Sequence, residues 1–154
     1  MILDAQLEFA VGQLPGAVGT NLGTNVLDTG PLGGLPTANT GRNFGEGQRL
    51  WLDILVKTTL VGATATLNIQ LVTDSNANLT TSPVVLYQTG VVAIASWAAG
   101  TRFLISLPSA TYKQYLGVKY VVATADITAG AVDVRIELNP QQNTKYAGAY
   151  SIDI

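Results

Sequence analysis

The sequence predicts an all-β protein: an antiparallel β-sandwich of the jelly-roll type, with about eight strands and extended terminal arms. Three observations predict it. From Leu50 to Lys57 and again from Ala65 to Leu71, apolar residues return at every second position, which puts one set on a core face. Short segments of this kind are separated by clusters of Gly, Pro, Asn and Asp at the spacing of a sandwich. No helical period lasts more than a turn or two. The organisation expected is one domain over 1–154, with an N-terminal arm at 1–23, a long Gly/Pro-rich loop at 30–47 and a C-terminal tail at 141–154.

The first fourteen residues set Ile2, Leu3, Leu7, Phe9 and Val11 among Asp4, Gln6 and Glu8, the pattern of an edge strand or an extended arm. Gly12 to Gly23 is too punctuated by glycine and Pro15 for regular structure, and Thr24-Asn-Val-Leu-Asp28 is a short strand. The 30–47 loop exceeds ordinary connection lengths. Leu50 to Asp74 then reads as a β-hairpin around which the chain is arranged. Leu50, Leu52, Ile54 and Val56 face the core on its first strand, and Ala65, Leu67, Ile69 and Leu71 on its second. Gly62 is expected to supply a positive φ at the turn.

Asp74-Ser-Asn-Ala-Asn78 is turn chemistry, because Asx side chains bond the backbone two residues on. Pro83 to Gln88 and Val91 to Ser96 flank Thr89-Gly90 as a second hairpin, and Thr101 to Leu107 is a further strand with Phe103, Ile105 and Leu107 on one face. Tyr115 to Thr124 is apolar at most positions and therefore central. Val132, Val134, Ile136 and Leu138 alternate with Asp133, Arg135 and Glu137, a strand with one charged face that Asn139-Pro140 ends. The core expected from these strands is Leu52, Ile54, Leu67, Ile69, Leu71, Phe103, Ile105, Val118, Tyr120, Val134 and Ile136.

Composition narrows the chemistry. A chain of 154 residues that is 47% hydrophobic buries a core without disulfides. Only 12% of residues are charged, about half the usual share, which suits either a protein that lives in an assembly or a monomer with a neutral coat. The eight Lys and Arg are scattered and the net charge is −2, so no basic stripe serves nucleic acid. There is no Cys and no His, which excludes disulfides, Cys or His metal sites, thiol nucleophiles and imidazole bases. No apolar run approaches the roughly 20 residues of a membrane span, and Met1-Ile-Leu-Asp lacks a positive n-region, so neither membrane anchor nor signal peptide is expected.

Ten carboxylates are enough for a glycosidase pair, but they are poorly placed for one. Asp133 and Glu137 flank Arg135 on one strand face, the arrangement of a solvated salt-bridge ladder, and Asp53 has the same bland character. Asp74-Ser-Asn-Ala-Asn78 resembles a calcium loop only in its alternating oxygens; it lacks the later Glu and the glycine, so a capped turn is expected. Trp51, on the face away from the core, and Trp97 are the residues a sugar-stacking platform would use, although Trp more often packs or forms interfaces. No catalytic residue, cofactor or metal is expected.

Five segments, Met1-Ile-Leu-Asp-Ala-Gln-Leu-Glu-Phe9, Thr24-Asn-Val-Leu-Asp28, Leu67-Asn-Ile-Gln-Leu-Val-Thr-Asp-Ser-Asn76, Tyr115-Leu-Gly-Val-Lys-Tyr120 and Thr128-Ala-Gly-Ala-Val132, occur in the order in which similar segments occur in a known family. On them the chain resembles the jelly-roll capsid cement, or decoration, proteins of tailed bacteriophages. The 30–47 loop is longer than the family pattern and the tail from Asn139 diverges, so contacts made there are not carried over. The resemblance implies a non-enzymatic virion protein on the outer capsid surface, made in the host bacterial cytoplasm, that bridges neighbouring major capsid protein subunits. It also implies self-association, a homodimer ahead of a homotrimer. The alternative from another class is a carbohydrate-binding β-sandwich of a phage receptor-binding structure. Ile2, Leu3, Leu7 and Phe9 at one end and Tyr146, Tyr150, Ile152 and Ile154 at the other are more apolar than free termini, which makes them the expected interface residues.

Overall fold

Period-two alternation needs a second apolar surface to bury against, and this chain provides it by dividing its strands between two facing sheets. The computed structural model describes residues 7–30, 49–138 and 140. Among them lie nine strands: β1 (Glu8–Gln13), β2 (Gly19–Asp28), β3 (Trp51–Val61), β4 (Thr66–Asp74), β5 (Val84–Gln88), β6 (Val92–Ala93), β7 (Arg102–Ser106), β8 (Tyr115–Ala123) and β9 (Ala129–Glu137). One sheet has the order β1-β9-β3-β7 and the other β2-β8-β4-β5, with β6 also on β4. All pairings are antiparallel. With β5 and β6 sharing one edge, this is the jelly-roll arrangement of two four-position sheets wrapped so that the first strand pairs with the last.

The expected hairpin from Leu50 to Asp74 is instead a crossing between sheets: β3 pairs with β7 and β9, and β4 with β5, β6 and β8. The alternation was legible, but the partner was not, because both faces of a sandwich want the same pattern. Gly62 is also needed for a different reason. It does not take a positive φ; a Cβ there would lie 2.9 Å from both the Ala65 Cβ and the Asp126 carbonyl oxygen. The second expected hairpin likewise gives way to β5 and β6 pairing one after the other along β4, with a short 3-10 turn at Ile94–Ser96 following.

The proposed arm at 1–23 is largely body. Residues 8–13 are β1 and residues 19–28 are β2, twice the strand length foreseen at 24–28. Two of the glycines that read as punctuation sit at strand irregularities: the β1 register shifts between Ala10 and Gln13, around Gly12 at φ +60°, and the β2 register between Leu22 and Val26, around Gly23, whereas Gly16 lies in the connection between the two strands. Side chains then tie the two edges together. Gln13 Nε2 donates to the Leu22 carbonyl at 2.7 Å, Gln13 Oε1 accepts from the Thr24 amide at 2.9 Å, and Asn25 Nδ2 donates to the Glu8 carbonyl at 3.0 Å.

The core between the sheets holds Leu52, Ile54, Leu67, Ile69, Leu71, Val118, Tyr120, Val134 and Ile136, all expected, and adds Phe9, Trp97, Tyr112 and Ile127. Phe103 and Ile105 point inward but stay half-buried, because β7 is an edge strand. Residues 31–48 and 141–154, which carry most of the long loop and the whole tail, lie outside the described residues. Leu71 has no exposure at all, so Leu71→Ala is expected to cost about 2–5 kcal/mol in urea unfolding. A loss under about 0.5 kcal/mol would place Leu71 on the wrong face of β4.

Candidate functional site

β3 presents Leu52 and Ile54 to the core and Trp51, Asp53 and Leu55 to the outside of its sheet. Register places Leu104 of β7 and Arg135 of β9 beside Asp53, and Arg102 and Asp133 beside Leu55. The result is a closed ring of four charges. Asp53 Oδ1 accepts from Arg102 Nε at 2.6 Å and its Oδ2 from Arg102 at 3.1 Å; Oδ2 also lies 3.1 Å from Arg135. Arg135 Nε donates to Glu137 Oε1 at 2.6 Å, and Glu137 Oε2 closes the ring 3.6 Å from Arg102. The Asp53 side chain has no exposure and that of Glu137 has 3%, whereas Arg135 keeps 15% and Arg102 keeps 27%. The hydrogen bond to Asp53 raises the Arg102 pKa further, so this guanidinium stays charged.

This ring corrects two expectations. Asp133, Arg135 and Glu137 are not a solvated ladder: Glu137 is buried, and Asp133 turns away to accept the Gly12 amide at 2.5 Å, which pins β1 to β9. Asp53 is far from bland, since it is the acceptor on which both arginines converge. Two charges of each sign within hydrogen-bond reach neutralise one another, and no carboxylate in the ring is left with the free access that acid catalysis needs.

The second polar cluster is the turn after β4. Asp74 is fully buried and accepts the amides of Ser75 at 2.6 Å, Thr81 at 3.0 Å and Ser82 at 3.1 Å. Burial alone would push its carboxyl up, but the hydrogen bonds from Ser82, Ser75 and Asn76 outweigh this and hold it below the ordinary aspartate value. Its oxygens face amide donors, which makes a capped turn of the calcium-like sequence; Asn76 and Asn78 repeat the motif with the amides of Asn78 and Thr80. The loop so fixed folds back over the outside of the β2-β8-β4-β5 sheet. Leu79, at φ +54°, becomes fully buried there, and a Cβ on Gly117 would lie 2.7 Å from Leu79 Cδ1. The Lys119 ammonium donates to the Leu79 carbonyl and the Lys113 ammonium to the Ser82 carbonyl. Sequence reasoning missed this peg; a leucine after three Asx-type residues, opposite a glycine in a central strand, was its only trace.

The expected interface residues divide. Phe9 lies wholly within the core and is therefore not available to a partner, a correction that follows from β1 being a body strand. Leu7 packs half-buried against the same core. Ile2, Leu3, Tyr146, Tyr150, Ile152 and Ile154 lie outside the described residues. Trp97 is also inside, tilted at 46° against Phe103 with ring centroids 5.2 Å apart, so it cannot share a sugar platform with the half-buried Trp51. Among the described residues, the exposed large apolar side chains are Val11, Leu14, Val18 and Leu22 on the β1–β2 side, Val61 at the end of β3, Val84, Val85 and Val91 around β5, and Leu138.

Fold and faces define a jelly roll whose buried acids are engaged in holding its own strands. A family model, Bbp16, matches residues 9–136, from the first strand to the last, and the chain belongs to that family. The family is phage-associated, so this is a phage protein. No curated protein matches the chain.

Removing Asp53 leaves two guanidiniums without their shared acceptor. Asp53→Ala is expected to lower the unfolding free energy by about 2–4 kcal/mol, below the range for fully buried pairs because the Arg102 side chain is 27% exposed. A change under about 0.5 kcal/mol in urea titration would show that the ring contributes nothing net. For Asp74 the depressed folded-state pKa means that its contribution is complete above the unfolded value and is lost as pH falls through the folded one. As pH falls through the ordinary aspartate value of 3.8 and below it, wild-type stability is therefore expected to fall more steeply than that of Asp74→Asn. Parallel curves would remove Asp74 from the acid response.

Proposed function

We propose that this is a non-enzymatic virion protein that binds the outer surface of a phage capsid and cements neighbouring major capsid protein subunits. The observation that carries this reading is the combination of a phage-associated family with a jelly roll whose buried carboxylates, among the described residues, serve strand pairing and turn formation. Asp53, Asp74 and Glu137 bond within the fold, so the body is built to be stiff. Its outer surface is rich in uncharged and aliphatic groups, including Val11, Leu14, Val18 and Leu22 beside one another in the chain's first two strands and their connection. Repeated sites on a shell let modest contacts of that kind add up through multivalency.

One observation favours a second reading. Trp51 sits half-buried on an outer sheet face, where an aromatic plane is able to stack on a sugar ring. Retention on a glycan array that is lost in Trp51→Ala would establish it.

The direct experiment for the cement reading is co-sedimentation of the purified protein with capsids stripped of their outer proteins. Saturable binding at a fixed ratio to the shell subunit, with a rise in the capsid's disruption temperature, is the expected result. Protein that stays in the supernatant at concentrations of tens of micromolar, above the affinities typical of specific complexes, would overturn the assignment.

A further inference from the structure

We propose that residues 75–83 form a strap that lifts off the outer face of the β2-β8-β4-β5 sheet as a unit, with Leu79 as its single apolar anchor, while the strand pairings of the sandwich stay made.

The strap is separable from the body in its packing. Of residues 75–83 only Leu79 is buried, and it lies outside the cluster that fills the space between the sheets. Withdrawing it therefore takes one side chain from an outer face and none from the core. Both ends of the strap stay rooted, because β4 and β5 remain paired through Thr73 and Val84.

Its hydrogen bonds are separable too. The amides of Ser75, Thr81 and Ser82 go to the Asp74 carboxylate, those of Asn78 and Thr80 to the side chains of Asn76 and Asn78, and that of Leu79 to the Asn76 carbonyl. The strap is thus bonded to its own root and to itself. Its ties to β8 and the approach to β8 are two lysine side chains, Lys119 on the Leu79 carbonyl and Lys113 on the Ser82 carbonyl and hydroxyl. Closure also holds Leu79 at φ +54°, a conformation that a residue with a Cβ adopts at a cost and that opening relieves. A segment with one buried apolar side chain and no strand pairing of its own opens at a lower free energy than the strands beneath it.

What opening uncovers is specific. A Cβ on Gly117 would lie 2.7 Å from Leu79 Cδ1 and 3.3 Å from Val26 Cγ2, so the missing side chain is what makes room for the peg. The lifted strap leaves a hollow over β8 that fits one aliphatic side chain, beside the Lys119 ammonium. Closed, the chain's own leucine fills it; open, that strip of the face is apolar and accessible.

Native-state hydrogen exchange of the purified protein at urea concentrations below the unfolding transition tests this. The amides of Thr81 and Ser82 are expected to be protected about tenfold or more over a free chain, yet to exchange about a hundredfold or more faster than those of β3 and β9 when each is corrected for its intrinsic rate. Their rates should also depend little on urea, because lifting the strap exposes little surface. In Gly117→Ala the added Cβ takes the space of the peg, and the protection of Thr81 and Ser82 is expected to disappear while far-UV circular dichroism and the emission of the buried Trp97 stay as in the wild type. Strap amides that share the protection and the urea dependence of the β3 and β9 amides would overturn the proposal, since they would then open only with the whole sandwich. Strap amides without protection in the wild type would overturn it as well, because no closed state would exist. A folded Gly117→Ala that keeps Thr81 and Ser82 within about twofold of wild-type protection would remove Leu79 as the anchor and sink it in the same way. Should Gly117→Ala fail to fold, the wild-type urea series decides by itself.

Discussion

An aspartate in the middle of an apolar strand is the constraint on which one half of this molecule depends. Asp53 sits between Leu52 and Ile54, both buried, and its own side chain has no exposure, so its charge needs cations within reach. β7 and β9 each supply one. Because side chains alternate with a period of two, a slip of either neighbour by one residue would carry its arginine to the core face and leave Asp53 alone. The ring therefore fixes the registers of three strands at once, and with Asp133 capping the Gly12 amide the same sheet draws in the fourth.

The other sheet is secured differently. Asp74 gathers the amides of a turn, the turn delivers Leu79 to the outside of the sheet, and Gly117 leaves the space into which it fits. This places a small apolar contact on a face that would otherwise be wet, at the cost of a leucine held at φ +54°. Lys119, also nearly buried, bonds the Leu79 carbonyl and so satisfies an acceptor that the peg carries inward. One sheet is thus aligned by ion pairs across strands, the other clamped by a loop from outside.

Much of the fold was legible because alternation survives in the sequence wherever a strand buries a single face. Leu67, Ile69 and Leu71, and Val134 and Ile136, declare their inward side without help from any partner. What alternation leaves open is which strands are neighbours, since β3 and β4 have the same pattern whether they pair or face one another across the core. Glycines misled in the first twenty-three residues, where Gly12 and Gly23 fall at bulges within strands while Gly16 lies in the connection. Charge misled on β9, where Asp133, Arg135 and Glu137 look solvated until Asp53 and Arg102 are brought alongside from 82 and 33 residues away in the chain, as β3 and β7 register against β9. A lone acid within the run Leu50-Trp-Leu-Asp-Ile-Leu-Val56 was the sign of that buried pairing.

The pairing of the first strand with the last has a consequence for synthesis. β1 has no neighbour in its sheet other than β9, and β9 also lies between β1 and β3. On the ribosome, Phe9 and Ala10 therefore emerge more than a hundred residues before the strand that will cover their backbone, and β3 waits for the same event. That sheet closes only once Ala129–Glu137 has left the ribosome, so its assembly is a long-range step with a large loop-closure entropy. A ribosome that stalls before residue 129 leaves two apolar strands of one sheet separated by an empty lane, open to pairing with the neighbouring nascent chain on the same message.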